Sequence, residues 1–153
     1  MRKAVSTSRL VPPVYFLAAV ILMIGLHLIL PWPRWQEISL EAGGVALILG
    51  GLALTVAGAR LFQKRGTAIR PFEPSAALVV EGPFRFTRNP MYLGMFLALT
   101  GLALLLGSAA PLLVVAAFVW LIRTRFVRVE ERMLAERFGP AYEDYRRRVR
   151  RWL

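Results

Sequence analysis

The chain has 153 residues, 57% of them hydrophobic, with 20 basic against 9 acidic side chains and a formal net charge of +11. That is one domain's length, and it is too apolar for an ordinary water-soluble globule. There are no cysteines, which excludes disulfides, thiolate metal sites and thiol nucleophiles, and no metal is expected. The basic residues flank long uncharged runs and form no soluble basic face. Their expected counter-charge is anionic membrane lipid, with no nucleic acid partner.

In chain order, Met1-Arg2-Lys3 precedes an apolar run in the manner of a signal peptide. The run from about Val14 to Leu30 holds only His27 as a polar residue, and Pro31-Trp32-Pro33 follows where a small-residue cleavage site would stand. It therefore reads as a retained first span, with His27 a packing or interface residue. The second span covers about residues 42–61. Within it Gly44, Gly51 and Gly58 recur every seven residues, with Gly43 and Gly50 beside them. Such spacing places the three on nearly one face, suited to close helix contact in lipid.

The apolar block Met91–Ile122 would make a helix of roughly 48 Å, too long for a hydrocarbon core of about 30 Å. Gly107-Ser108 and Pro111 sit mid-block and mark a turn followed by a helix start. The block reads as a hairpin of two short spans, about 90–106 and 109–127, the second running past Arg123 and Arg125. Four spans put Arg2, Lys3 and Arg9, the basic loop 62–89 and the arginine-rich tail on one side of the membrane. By the positive-inside tendency, both termini and that loop are expected to be cytoplasmic. The fold class expected is an all-α membrane bundle of about four transmembrane helices, followed by C-terminal cytoplasmic helices over 128–153.

The 62–89 loop is long, and Ala76-Ala77-Leu78-Val79-Val80 is too apolar for disorder; it is expected to fold back as a cap on the helix ends. Gly82-Pro83 marks a turn. Asn89 is a good N-cap and Pro90 suits a first helical position, so the third span should begin there. A helix start offers a positive dipole end to an anionic group, and the neighbouring Phe84, Phe86 and Tyr92 offer aromatic faces to a cation.

Glu130 has Phe126, Val127, Met133 and Leu134 at three- and four-residue spacing. A carboxylate in such a stripe needs a partner. Either an arginine of the long loop neutralises it as a structural salt bridge, or it binds a ligand. Glu131 stands in helical spacing to Arg128 and reads as a solvated pair. After Gly139-Pro140 breaks the helix, Tyr142, Tyr145, Val149 and Trp152 recur opposite Arg146, Arg147, Arg148, Arg150 and Arg151. This is an amphipathic interfacial helix whose arginine run reads as a membrane anchor.

The stretch Gly82–Gly94, with Arg88-Asn89-Pro90-Met91-Tyr92-Leu93-Gly94, then Glu130-Glu131-Arg132-Met133-Leu134, then Phe138–Arg151, resembles the isoprenylcysteine carboxyl methyltransferase and phospholipid methyltransferase superfamily. The three segments match the family pattern in order and spacing from about Arg70 to the end. The resemblance implies S-adenosylmethionine as cofactor, held without a Rossmann domain. It implies backbone contacts from Ala76, Ala77, Leu78 and Val79 and an aromatic wall from Phe84. Arg88, Asn89, Pro90, Met91 and Tyr92 would form the helix start over the cofactor, with Glu130 and Glu131 as carboxylates. Phe126 stands where the family has a substrate-orienting arginine, so Arg125 or Arg128 would take that role. Asn89 replaces the family's histidine and cannot titrate, and Phe84 lacks a phenol hydroxyl.

The function this implies is methylation of a lipophilic or lipid substrate, with carboxyl methylation of an isoprenylcysteine-like compound favoured. A carboxylate acceptor is already ionised at neutral pH, whereas an amine headgroup needs a base that the motif lacks. Phospholipid amine N-methylation, an NADPH-dependent membrane reductase of related helical core and a non-catalytic scaffold are the alternatives.

Overall fold

The computed structural model describes residues 11–30, 38–67, 72, 73 and 75–153. The N-terminal Arg2, Lys3 and Arg9, the Pro31-Trp32-Pro33 stretch and Arg70 lie outside these residues. Among the described residues every regular element is helical. Helix α1 spans Pro12–Ile29, α2 Ile38–Lys64, α3 Pro90–Leu106, α4 Ala110–Ile122, α5 Arg128–Phe138 and α6 Pro140–Arg148. A 3-10 turn occupies Gly82–Arg85, and a π-helical segment, Arg123–Val127, joins α4 to α5 without a break.

The boundaries follow local chemistry. Helix α3 begins at Pro90, whose ring fixes φ and whose missing N–H costs nothing at a first helical position. It ends at Gly107 with φ 62°, a left-handed conformation that glycine adopts without a Cβ penalty. Pro111 then sits in the first turn of α4. Gly139 and Pro140 separate α5 from α6.

Among the described residues, three helices are long and apolar enough to cross a membrane: α1, most of α2, and the continuous 29-residue rod Ala110–Phe138. Helix α3 has 17 residues and reaches about 25 Å. It and α4 form a helical hairpin about the Gly107-Ser108 turn. The outer faces are apolar: Leu28 of α1, Leu49 of α2 and Trp120 of α4 are each well over half exposed. In a bundle this apolar, lipid is the medium that covers such faces. The core gathers Met23, Leu99, Ala103, Phe118, Ile122, Phe126 and Val127. His27 shares a 2.9 Å hydrogen bond with the buried Ser108 hydroxyl, fastening α1 to the α3–α4 turn.

Helices α2 and α3 pack backbone to backbone. Gly44 faces Gly101 and Gly51 faces Gly94; a Cβ on Gly44 would lie 2.8 Å from the Gly101 carbonyl oxygen, and one on Gly51 2.8 Å from the Ala98 nitrogen. A Cβ on Gly94 would overlap the Gly51 carbonyl oxygen and the Thr55 hydroxyl. The glycine face of α2 is thus a contact face, and Gly94 and Gly101 are its counterpart on α3. The Thr55 hydroxyl donates within its own helix to Gly51 O at 2.9 Å and across the seam to Met91 O at 3.2 Å.

Gly94→Ala is expected to destabilise the protein by about 1–3 kcal/mol, because the new methyl has rigid backbone in its way. Gly50→Ala, with open space around it, should be neutral or stabilising through helix propensity. Thermal melts of both variants in one detergent check the contrast.

Candidate functional site

Beyond the α2–α3 seam the elements diverge around a cavity of ≈ 560 Å³, walled by the end of α2, the loop before α3, the start of α3, α5 and α6. The start of α3 is its keystone. Asn89 is the N-cap by backbone position, and its carbonyl accepts from Leu93 N–H at 2.9 Å. Its side chain, however, does not cap the helix. Asn89 Nδ2 donates to the Arg151 carbonyl at 3.1 Å, because the C-terminal tail brings that acceptor alongside. Thr87 Oγ1 donates to the same carbonyl at 3.1 Å and accepts from Asn89 N–H at 3.2 Å.

Tyr92, in the first turn of α3, donates its hydroxyl to Glu130 Oε1 at 2.6 Å. The carboxylate in the apolar stripe is therefore met by a phenol. The arginine of the long loop goes to the adjacent carboxylate instead: Arg88 Nη2 lies 3.1 Å from Glu131. Arg151 grips Glu131 from the other side, through Nε at 2.9 Å and Nη2 at 2.7 Å. The expected solvated pair of Glu131 with Arg128 is thus corrected. Arg128 is exposed, while the Glu131 carboxylate is taken by Arg88 and Arg151.

The tail completes the wall. Arg88 N–H donates to the Arg150 carbonyl at 3.0 Å, and the buried Tyr145 hydroxyl donates to the Phe84 carbonyl at 2.8 Å. Helix α6 is amphipathic as expected, with Tyr142 and Tyr145 buried and Arg146, Arg147 and Arg148 exposed. It ends at Arg148, so Val149 and Trp152 are not on it, and Trp152 packs against the bundle core. Arg151 leaves the anchoring run altogether; its Glu131 partner holds its guanidinium still more firmly protonated. Burial pushes the Tyr142 and Tyr145 phenols up, the nearby Glu131 adding to the effect on Tyr142. Both therefore stay protonated at neutral pH.

Ala77, Leu78, Val79, Phe84, Arg88, Asn89, Pro90, Met91, Tyr92, Glu130 and Glu131 all line the cavity. Ala76 does not, and it is exposed. The Ala77 main chain is partly engaged by the fold, its N–H donating to Thr67 Oγ1 at 3.3 Å. Phe84 stacks nearly parallel on Phe62, with ring centroids 5.0 Å apart. Phe86 is exposed and stands outside the aromatic wall. Arg125 and Arg128 are exposed and do not line the cavity; Phe126, stacked on Phe72 at 5.6 Å, takes the inward position between them. Sequence reasoning missed Tyr142 and Tyr145 as wall residues. Their three-residue spacing on one face of a helix straight after the Gly-Pro break was the available signal.

The phospholipid methyltransferase family matches residues 40–141, well over half of the chain and every element of this cavity except the tail. The chain belongs to that family. It is similar to Protein-S-isoprenylcysteine O-methyltransferase of Schizosaccharomyces pombe, 33% identical over 72 residues, 47% of this chain and 30% of that protein. The protein of the same name in Saccharomyces cerevisiae is 34% identical over 77 residues, 50% of this chain and 32% of that one. A longer similarity, 26% identity over 130 residues, links it to the nickel-cobalt-cadmium resistance protein NccN of Alcaligenes xylosoxydans xylosoxydans, covering 85% of this chain and 59% of that protein. The chain thus spans under two-thirds of each of these three relatives. No solved structure matches it.

Glu131→Ala strands two arginines, one of them with a side chain only 9% exposed, and is expected to cost about 3 kcal/mol. Glu143→Ala, which loses only an exposed pair with Arg146, should stay within about 0.5 kcal/mol. Denaturation of the two variants in detergent measures the difference.

Proposed function

We propose that this protein is a membrane methyltransferase that takes its methyl group from S-adenosylmethionine and places it on a lipophilic substrate, with the carboxylate of an isoprenylcysteine-like compound the favoured acceptor. The single observation that carries this reading is the cavity itself. It gathers the loop, the α3 start and the Glu130-Glu131 pair of a methyltransferase family around one space, with Tyr92 bonded to Glu130 on its wall.

The residues suit that donor. A carboxylate at Glu130 and the ring of Tyr92 favour a cationic centre, and the stacked Phe62–Phe84 pair offers a flat apolar face. The volume lies within the usual range for sites that enclose small ligands. Bound there, S-adenosylmethionine would supply an electrophilic methyl group on a positively charged sulfur. The chain's own task is to orient the two reactants and exclude water, and positioning alone can account for a large rate gain. A carboxylate acceptor arrives ionised, so no base is required, and His27 is occupied at the α3–α4 turn. The apolar rods around the cavity let a lipid substrate enter sideways from the bilayer. Both termini and the cavity face the cytoplasm on the charge pattern.

Calorimetry on the full chain in detergent tests this. S-adenosylmethionine and S-adenosylhomocysteine should bind and NADPH should not, and Glu130→Ala should weaken both adenosyl ligands about tenfold or more. Binding of NADPH alone would establish the reductase instead. Adenosyl ligands bound equally well by the Glu130→Ala variant would remove the pocket from this place. Labelled methyl transfer into lipid extracts then separates a carboxylate acceptor from a phospholipid amine.

A further inference from the structure

Among the described residues, two buried side chains on the cavity wall carry donors without a partner. Arg88 gives Nη2 to Glu131, but its Nε and Nη1 have no hydrogen-bond partner among the described residues, and its side chain is only 9% exposed. The Tyr142 hydroxyl, on a residue 1% exposed, is equally without a partner. Both residues line the same cavity, and the Tyr142 phenol lies close enough to Glu131, Arg88, Arg146 and Arg151 to sense all four charges. Buried donors are almost always satisfied in folded proteins, and an orphaned guanidinium is among the costliest exceptions. Two such groups on one wall call for an acceptor that arrives from outside.

We infer that Arg88 and Tyr142 form a subsite for the carboxylate of a ligand, a role that rests on the methyltransferase reading above and extends it. The charge at the subsite sets the class of anion. Within the Arg88–Glu131–Arg151 cluster two guanidiniums share one carboxylate, an excess of one positive charge in that cluster, which matches a monoanion better than a doubly charged phosphate. Of the other charged wall residues, Glu130 is bonded to Tyr92 on α3, and Glu73, Glu136 and Arg137 are exposed to solvent and screened by it. A guanidinium held rigidly by Glu131 is well suited to carboxylate, since its N–H groups are fixed before the ligand comes. The phenol adds a third donor. Two carboxylates are candidates for this place: the amino-acid end of the methyl donor, and the acceptor's own.

The Tyr142→Phe variant separates them, because the hydroxyl has no partner to lose. The ligand-free variant should melt at the wild-type temperature or slightly above. Calorimetry should show S-adenosylhomocysteine bound about tenfold more weakly, as expected for a lost hydrogen bond to a charged group. Binding of 5′-methylthioadenosine, which lacks the amino-acid end, should be unchanged; that pattern assigns the subsite to the donor. If S-adenosylhomocysteine is bound normally while the KM for N-acetyl-S-farnesylcysteine rises about tenfold at constant kcat, the subsite belongs to the acceptor. Arg88→Lys, which keeps a cation against Glu131 but loses Nε and Nη1, should give the same pattern more strongly. Unchanged binding and unchanged KM in both variants would overturn the inference while leaving the methyltransferase reading intact. A wild-type protein that binds neither adenosyl ligand would sink that reading and the subsite with it.

Discussion

Glu131 is the residue on which the site depends. It lies on α5, takes Arg88 from the loop before α3 and takes Arg151 from the C-terminal tail. Three segments far apart in sequence meet on one carboxylate, and no apolar contact could fix them with comparable directionality. Once Arg151 is seated, its carbonyl is in place to accept from Thr87 and Asn89, and Arg150 accepts from the Arg88 N–H. The start of α3 is then held by the tail, and Tyr92 is presented to Glu130 at 2.6 Å. A buried ion cluster is weak evidence for net stability, since desolvation offsets much of its attraction. Here its consequence is geometric: it places the donors and acceptors that line the cavity.

The adjacent carboxylates Glu130 and Glu131 consequently have opposite duties. Glu131 is consumed by two cations and is structural. Glu130 meets a phenol, which donates one hydrogen bond and carries no charge, so a cation arriving in the cavity would favour its ionised form. The same division holds among the arginines. Arg151 spends its guanidinium on Glu131, while Arg88 keeps two nitrogens free. The cavity therefore has an acidic element at Glu130 and a basic one at Arg88, with aromatic rings of Phe84 and Tyr92 on the same wall. A ligand carrying a cation, an anion and a flat ring system is what such a surface complements.

Much of this was legible in the sequence. Runs of apolar residues, the Asn-Pro and Gly-Pro punctuation and the sevenfold glycines are local or periodic signals, and α1–α4 fall within a few residues of the spans those signals imply. That the loop from Ala77 to Tyr92 meets Glu130 around one space was legible only through motif resemblance, because nothing local says that a loop and a distant helix meet. What the sequence concealed is pairing. Glu131 has Arg128 three residues back, and nothing in a one-dimensional pattern weighs that neighbour against Arg88 or Arg151. The π segment Arg123–Val127 has no proline or glycine to announce it, yet it alters which residues of α5 face inward. The tail misled for a related reason: alternating tyrosines and arginines describe an amphipathic face equally well whether the apolar side meets lipid or the protein's own loop.

The glycine seam explains why the cavity opens at one end of the α2–α3 pair and not between the two helices. Where Gly44 meets Gly101 and Gly51 meets Gly94, the α2 and α3 backbones approach so closely that even a methyl group has no room. No ligand-sized space can open between them there. The seam's last close contact is Gly58, where a Cβ would stand 2.9 Å from Met91 Cγ, at the first turn of α3. One turn further along α2 comes Phe62, with no α3 left to meet, because that helix starts only at Pro90. Its ring stacks on Phe84 of the loop instead, and from that point the chain encloses volume. The register of the glycines along α2 thus fixes how far α2 overruns α3. That overrun supplies the wall against which the loop folds, at the depth where apolar helix gives way to arginine.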